Sequence, residues 1–239
     1  MIAFQDAPAA LPPGRRVYAV GDVHGCLDQL ERLHAAIAAD LADRPCDSAL
    51  LIHLGDYVDR GMESAGVVER LARLPPPAPG LEIVNLMGNH EAMMLDALAA
   101  NTAGAAAVWL ANGGVETLHS WGVPRGATPA QWRAHVPEAD LAFLRALPGS
   151  HREGGYLFAH AGIRPGVALE DQTQHDLLWI REPFLSWKGE LPAVVVHGHT
   201  PRPEPVLRPN RIGIDTGAAL GGHLTCLVLQ DATLGFIQI

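Results

Sequence analysis

Lysine is almost missing from this chain. Among its 17 lysine and arginine residues, Lys188 is the single lysine. Lysine-centred covalent catalysis therefore has next to no candidate, whereas arginine suits flat, two-pronged contacts with phosphate. Positive charge as a whole is scarce, with 26 Asp and Glu against those 17 cations and a net charge of −9. A nucleic-acid surface would need Lys and Arg gathered on one face, and this composition argues against one. Cysteine is scarce too. Cys26, Cys46 and Cys226 are odd in number and lack C-x-x-C spacing, which argues against a disulfide framework or zinc ribbon and suits a reducing compartment. No apolar run approaches the ~18 residues of a membrane helix. Met1 to Gly14 show neither the basic start nor the apolar stretch of a secretory signal. The expectation is a soluble, cytoplasmic protein without a membrane partner.

What is present is enough apolar chain for one sizeable core: 239 residues, 48% of them hydrophobic. A flexible lead over residues 1–14, with Pro8, Pro12 and Pro13, is expected to precede a single domain over residues 15–239. Short apolar runs follow, each bounded by glycine and rich in β-branched residues: Val17–Val20, Ala49–Leu54, Leu81–Met87, Gly155–Ala159, Ala193–Val196, Arg211–Ile214, Leu224–Leu229 and Leu234–Ile239. Such runs read as buried strands. Helical patterns at Leu27 to Leu41, Glu63 to Leu74 and Glu91 to Ala99 alternate with the early ones, which implies βαβ units and a largely parallel first sheet. The closing strands are separated only by turns and should pair antiparallel or mixed. Residues 101–150 read as mostly helical, and Trp109, Trp121 and Trp132 make this the segment that could overhang a site.

Each of the first five strand-like runs ends in a short polar motif. These are Gly21-Asp22-Val23-His24-Gly25, Gly55-Asp56-Tyr57-Val58-Asp59-Arg60-Gly61, Gly88-Asn89-His90-Glu91, His160-Ala161-Gly162 and His197-Gly198-His199-Thr200. In an α/β sheet, groups at the carboxyl ends of strands gather in one crevice. The donors on offer are carboxylates, imidazoles and an amide oxygen, with no thiolate, which favours Mn, Fe or Zn in a catalytic role. Asp22, His24, Asp56, Asn89, His160 and His199 are too many for one open metal but suit two if a carboxylate bridges. Two such ions ~3.5–4 Å apart hold a hydroxide nucleophile at neutral pH.

The five motifs in this order resemble the metallophosphoesterase superfamily, and within it the phosphoprotein phosphatase branch of bacterial and phage-lambda-type serine/threonine phosphatases. The likeness runs from Val17 to Ile239. It takes in Glu91-Ala92-Met93-Met94, Trp109-Leu110-Ala111-Asn112-Gly113-Gly114, Leu178-Trp179-Ile180-Arg181-Glu182 and Ile214-Asp215-Thr216-Gly217-Ala218. It implies two mixed β-sheets packed face to face and flanked by helices. It also implies two divalent ions, manganese first, with iron or zinc as alternatives. Asp22, His24 and Asp56 would hold one ion. Asp56, Asn89, His160 and His199 would hold the other, with Asp56 bridging. His90 takes the part of general acid with Asp59 orienting it, and Arg60 and Arg181 clamp phosphate, with Asn89 and His90 also at the substrate. An imidazolium near a carboxylate keeps its proton near neutral pH, and guanidiniums stabilise charge on phosphoryl oxygens.

His197 lies two residues before His199 and reads as strand-end packing or support for a ligand. His53, His223 and Asp215 could support ligands or simply pack and turn the chain, and Arg164 could touch substrate or lie on the surface. His34, His119, His135, His151 and His175 carry no motif and read as ordinary surface or helix residues, with Met93 and Met94 in the core. The expected activity is phosphomonoester hydrolysis on phosphoserine or phosphothreonine proteins or peptides. Dinucleoside polyphosphate hydrolysis is the alternative. The acidic balance argues against a nuclease, and the full set of ligands, acid and arginines argues against a non-catalytic scaffold.

Overall fold

The computed structural model describes residues 2–100 and 103–239; Met1 of the lead and Asn101 and Thr102 of the expected helical segment lie outside the described residues. The chain begins with a two-residue strand, β1 (Gln5–Asp6), then β2 (Arg15–Val20), helix α1 (Leu27–Asp43), β3 (Ser48–His53), α2 (Ser64–Arg73) and β4 (Glu82–Asn85). Helices α3 (Asn89–Ala100), α4 (Ala103–Trp109), α5 (Val115–Ser120), α6 (Pro129–Trp132) and α7 (Glu138–Arg145) follow. Next come β5 (Ser150–Glu153), β6 (Tyr156–Ala159), α8 (Gln174–Trp179), β7 (Val194–His197), β8 (Val206–Arg208), β9 (Arg211–Gly213), β10 (Thr225–Gln230) and β11 (Thr233–Gln238).

These strands build two mixed sheets, ordered β1-β11-β10-β2-β3-β4 and β5-β6-β7-β9-β8. Period-two alternation explains why the strands look uniformly apolar. Val17 and Ala19 of β2, and Leu50 and Ile52 of β3, point into the core between the sheets, where they meet Tyr156, Phe158, Val194, Val196 and Ile212. Tyr18, Val20 and Leu51 point the other way, under Leu30, Leu33 and Ile37 of α1 and Val67 and Val68 of α2. Leu157 and Val195 cover the far face of the second sheet with Ile180 and Phe184. Each of these fully buried aliphatic side chains contributes on the order of 1.5–3 kcal/mol of transfer free energy.

Register is what positions the site. β2, β3 and β4 are parallel, with Val20 opposite His53 and His53 opposite Asn85. The three strands therefore end level, and the motifs that follow leave from one edge. β6 and β7 are parallel as well, with Phe158 opposite Val196, and end beside them.

Some expectations are revised. The lead is packed: β1 pairs with β11, Leu11 is buried, and the Tyr156 hydroxyl donates to the Ala9 carbonyl at 2.6 Å. Its prolines do not prevent this, because the two-residue strand sits at a sheet edge where missing donors cost little. The closing strands β10 and β11 do run antiparallel, but they complete the first sheet beside β2. No helix of the described residues is long and apolar enough to cross a membrane.

Candidate metal centre

Six non-glycine residues among those described have positive φ, and five of them are His24, Asp56, Asp59, Arg60 and His199. Such backbone costs roughly 1–3 kcal/mol per residue and persists only where its surroundings over-determine it. Here the sharp bends turn side chains from the strand ends into one crevice. Close approach does the rest. A Cβ on Gly88 would lie 2.2 Å from the Asp56 carboxylate, and one on Gly198 would lie 2.0 Å from that of Asp22.

Asp56 stands at the centre, 1% exposed. Its Oδ2 lies 3.4 Å from His24 Nε2 and 3.9 Å from His90 Nε2, while its Oδ1 lies 3.4 Å from His160 Nε2. His24, Asp56 and His90 form one group of converging donors, and Asp56, His160 and His199 form a second. Asn89 Oδ1 joins the second group, at 2.8 Å from His160 Nε2 and 2.9 Å from His199 Nδ1. Backbone carbonyls fix two rings: Nδ1 of His24 faces Val58 O at 2.8 Å and Nδ1 of His160 faces Leu54 O at 3.0 Å, which turns each Nε2 toward Asp56. The carboxylate of Asp22 receives the backbone N–H of His199 at 3.1 Å.

The electrostatics are those of a cation site. Burial, then the nearby charge of Asp215, raises Asp22 well above its usual carboxyl value. Burial also opposes ionisation of Asp56, but His160, His90 and His24 outweigh it and hold that carboxyl well below its ordinary value. Burial pushes His24 down to about 3 and His199 down to about 3, so both rings stand neutral with a lone pair to offer. Burial likewise opposes a charge on His160, but Asp56, ahead of Asp22 and Glu91, raises that ring to about 10. Buried carboxylates so placed call for positive charge, which a bound metal ion would supply in place of the proton. The donor set fits a borderline divalent ion, with Asp56 placed to serve both groups.

Beside this centre is a dyad. His90 Nδ1 lies 2.7 Å from Asp59 Oδ2. Burial disfavours the charged ring, yet Asp56 and then Asp59 raise His90 above its usual value. Arg60 reaches over the same rings, with Nη1 2.6 Å from His24 Nε2 and Nη2 3.1 Å from His90 Nε2. Arg60, Asn89, His90, Arg181 and His199 line one open cleft with Asn112 and Trp179. The geometric grouping departs from the expected ligand sets in one respect: His90, expected as the acid, stands with His24 and Asp56, while Asp22 falls outside that group.

The remaining expectations sort clearly. His197 turns away from His199, with its Nδ1 3.1 Å from Gly198 O and its ring against Phe184. Asp215 turns the chain, accepting the Gly217 N–H at 3.0 Å, and is also close enough to act on Asp22. Arg164 is a structural residue: its Nε and Nη2 lie 3.0 and 2.6 Å from the two oxygens of Asp176, which tethers α8. His223 is exposed. His34 is not a surface residue. It is buried, 2.9 Å from His53, which in turn lies 2.8 Å from Asn85. Trp109 and Trp132 are buried and do not overhang the cleft; the aromatic in its wall is Trp179, 37% exposed.

Three supporting residues carried no role in the sequence motifs. Glu91 accepts four backbone N–H groups, from Asp56 at 2.8 Å, Tyr57 at 2.7 Å, Val58 at 3.2 Å and Gly88 at 2.9 Å, and so ties two motif loops together. Its place directly after His90 was the available signal. Trp109 and Thr117 donate to Asp59; Trp109 opens one of the resembling segments, but nothing local in sequence gives either residue this contact.

Comparison with known proteins places the chain in a family. Residues 15–224 match the calcineurin-like phosphoesterase family. The chain is 31% identical to serine/threonine-protein phosphatase 1 of Salmonella typhimurium, across 90% of this chain and 93% of that protein. It is 30% identical to a symmetrical bis(5'-nucleosyl)-tetraphosphatase of Methylococcus capsulatus, across 76% of this chain but only 51% of that protein. A crystal structure provisionally described as a diadenosine tetraphosphatase superposes with a TM-score of 0.67 at 24% identity, covering 96% of this chain and 98% of that one, which bears on the fold alone. The chain is thus a metal-dependent hydrolase and belongs to the calcineurin-like phosphoesterase family.

Proposed function

We propose that the chain hydrolyses phosphomonoesters of phosphoserine and phosphothreonine peptides with shallow sequence preference. The observation that carries this reading is Asp56, shared between two donor groups, with the His90–Asp59 dyad and two arginines facing the same cleft. Asp56, His24 and Asp22 would hold one divalent ion, and Asp56, Asn89, His160 and His199 the other, manganese being the best match to mixed N/O donors. Bound there, the ions would neutralise phosphate and supply an activated water. The chain's own groups do the rest. Arg60 and Arg181 engage the phosphoryl oxygens, and His90, kept protonated by Asp59, donates from Nε2 to the leaving alkoxide. Likeness over nearly the full length of a serine/threonine phosphatase supports the substrate class. The free thiols Cys26, Cys46 and Cys226 suit a reducing cytoplasm.

A second reading, hydrolysis of a dinucleoside tetraphosphate, is favoured by Trp179, whose exposed ring in the cleft wall could stack a base. A substrate panel separates them. Manganese-loaded protein should cleave an aryl phosphate and phosphoserine and phosphothreonine peptides with higher kcat/KM than diadenosine tetraphosphate. A tenfold preference for the tetraphosphate would install the second reading.

A further inference from the structure

Behind the metal ligands, on the side of the second sheet, is a cavity of about 270 Å³ that shares no lining residue with the catalytic cleft. Its wall is unusually unsatisfied. Eight buried side-chain polar atoms lack a hydrogen-bond partner among the described residues, and four of them belong to this wall: His197 Nε2, Thr200 Oγ1, Arg211 Nε and Asp215 Oδ2. Leaving such an atom unpaired costs roughly 1–3 kcal/mol, so half of the unpaired set among the described residues in one small space marks a place that expects an occupant.

Charge narrows the occupant. Arg211 is 9% exposed, yet its hydrogen bonds go only to neutral oxygens, the carbonyls of Trp187 and Leu185 and the Asn210 amide. Glu182 acts on it from beyond ion-pair distance, and Arg208 adds a like charge beside it. A buried guanidinium without a carboxylate partner calls for an anion. Arg202 and Arg208 line the same cavity, so three cations face the single carboxylate of Asp215.

The unpaired atoms then separate one anion from another. Arg211 Nε is a donor and Thr200 can be one. Asp215 Oδ2 is an acceptor, and so is His197 Nε2, since its Nδ1 is directed to Gly198 O. A metal cation would satisfy the acceptors but face three guanidiniums. A bare oxyanion such as sulfate would satisfy the donors and be repelled by Asp215. An oxyanion that keeps one proton near neutral pH serves the donors and offers its single O–H to the acceptor side of the wall. The volume lies just below the range usual for organic ligands, which favours an ion without an attached group.

We infer that this cavity is a binding site for inorganic hydrogen phosphate, with Arg202, Arg208, Arg211 and Thr200 on its bare oxygens and its P–OH donating into the wall formed by Asp215 and His197. The site lies at the strand end that also supplies His199, and the Arg202 N–H donates to Asp215 O at 3.0 Å, so the cavity is built from the same loops as the metal centre. It would bind the ion that phosphomonoester hydrolysis releases.

Equilibrium dialysis of labelled inorganic phosphate against the full-length, metal-loaded chain tests the assignment. The double variant Arg202→Ala/Arg208→Ala, changed only at exposed side chains, should lose one bound phosphate or bind it at least tenfold more weakly, with melting temperature and metal content as checks on fold. Thr200→Val should weaken the same phosphate, and Arg181→Ala should spare it. Sulfate should compete for that phosphate at least tenfold less well than unlabelled phosphate, and O-phosphoserine should fail to compete. Phosphate binding unchanged in the double variant overturns the site. Sulfate competing equally overturns the role given to Asp215 and His197, and O-phosphoserine competing equally overturns the choice of the free ion. None of these outcomes depends on which phosphoester is cleaved, so the catalytic reading stands or falls separately on the substrate panel.

Discussion

The indole N–H of Trp109 donates to both carboxylate oxygens of Asp59, at 3.0 and 3.1 Å. Asp59 also accepts the Thr117 hydroxyl at 2.7 Å and faces His90 Nδ1 at 2.7 Å, and none of its surface is exposed. The carboxylate is therefore held from three sides in a dry pocket, with no freedom to turn away from the imidazole. Burial raises the Asp59 carboxyl, while the bonds from His90, Thr117 and Trp109 act against that rise. Trp109 does not line the cleft and meets His90 only through Asp59.

Trp109→Phe should keep an aromatic ring, though a smaller one, and remove the donor. Hydrogen bonds to charged groups are worth about 1.5–3 kcal/mol, part of which Thr117 would retain. We expect kcat to fall about tenfold on alkyl phosphates, which need a proton on the leaving oxygen. On an aryl phosphate with a good leaving group the fall should be far smaller, with KM and metal content unchanged. An equal fall on both substrates would assign Trp109 to packing alone.

Asp56 and His90 should fail in different ways. Asp56→Asn removes the carboxylate common to both donor groups, so metal content should drop in elemental analysis and activity should drop with it. His90→Asn should keep its metals while kcat falls by on the order of 10²–10⁴. Metal loss in the His90 variant with none in the Asp56 variant would transfer His90 to the ligands, as its place beside His24 and Asp56 permits. Prolonged chelation of the parent should abolish aryl phosphate hydrolysis, with Mn²⁺ restoring it far better than Ca²⁺, which prefers an all-oxygen shell.

Glu91 should matter to metal affinity without touching a metal. Its two oxygens hold four backbone N–H groups from the loops carrying Asp56 and Gly88. In Glu91→Gln one oxygen becomes a donor facing N–H groups, which leaves at least one of them unsatisfied. Loss of such outer support typically costs 10–100-fold in metal affinity. Calorimetric titration of the apoprotein should show that loss together with a lower melting temperature. An unchanged metal affinity would restrict Glu91 to loop stability.

How much of this was legible beforehand follows from sequence distance. The metal donors sit in motifs a few residues long, each attached to a strand whose apolar run announces it, and parallel register brings those ends level. His24 and Asp56, 32 positions apart in number, could be placed together on that logic alone. Trp109 and Asp59 could not. Trp109 ends α4, beyond the last of the parallel strands and with no strand to set its register against Asp59, so Trp109, like Trp179, read as part of a resembling segment without a stated role. The short strands β1, β5 and β8 were missed for a related reason: two to four residues carry too little periodicity to detect. His34 read as an ordinary surface or helix residue; it is in α1, on the buried face that also carries Leu30, Leu33 and Ile37.

That buried histidine supports the last prediction. His53 Nδ1 lies 2.8 Å from Asn85 Oδ1, so it carries the proton and leaves Nε2 as an acceptor; His34 Nε2, 2.9 Å away, must then donate. His34 Nδ1 is left bare and has no partner. Both rings are thus neutral, and a second proton on either would sit in an apolar layer near Arg70 without a carboxylate to receive it. Burial, followed for His34 by the neighbouring ring and for His53 by the weaker opposing bond to Asn85, pushes His34 far down and His53 down to about 4. The sign is that of a depressed value. Above an unfolded value near 6.5, neither state binds the proton and stability is full. As pH falls from there toward 4, the unfolded chain takes up protons that the folded chain refuses, and stability is lost, by on the order of 3 kcal/mol for His53 alone. The measurement is urea unfolding of chelated protein at several pH values between 7 and 4, with His53→Gln, which keeps a neutral group beside Asn85, as the comparison. The parent should lose stability across that interval more steeply than the variant. Parallel curves would mean that these rings are already protonated in the fold, or equally free of strain in both states, and would remove the pair as a source of acid lability.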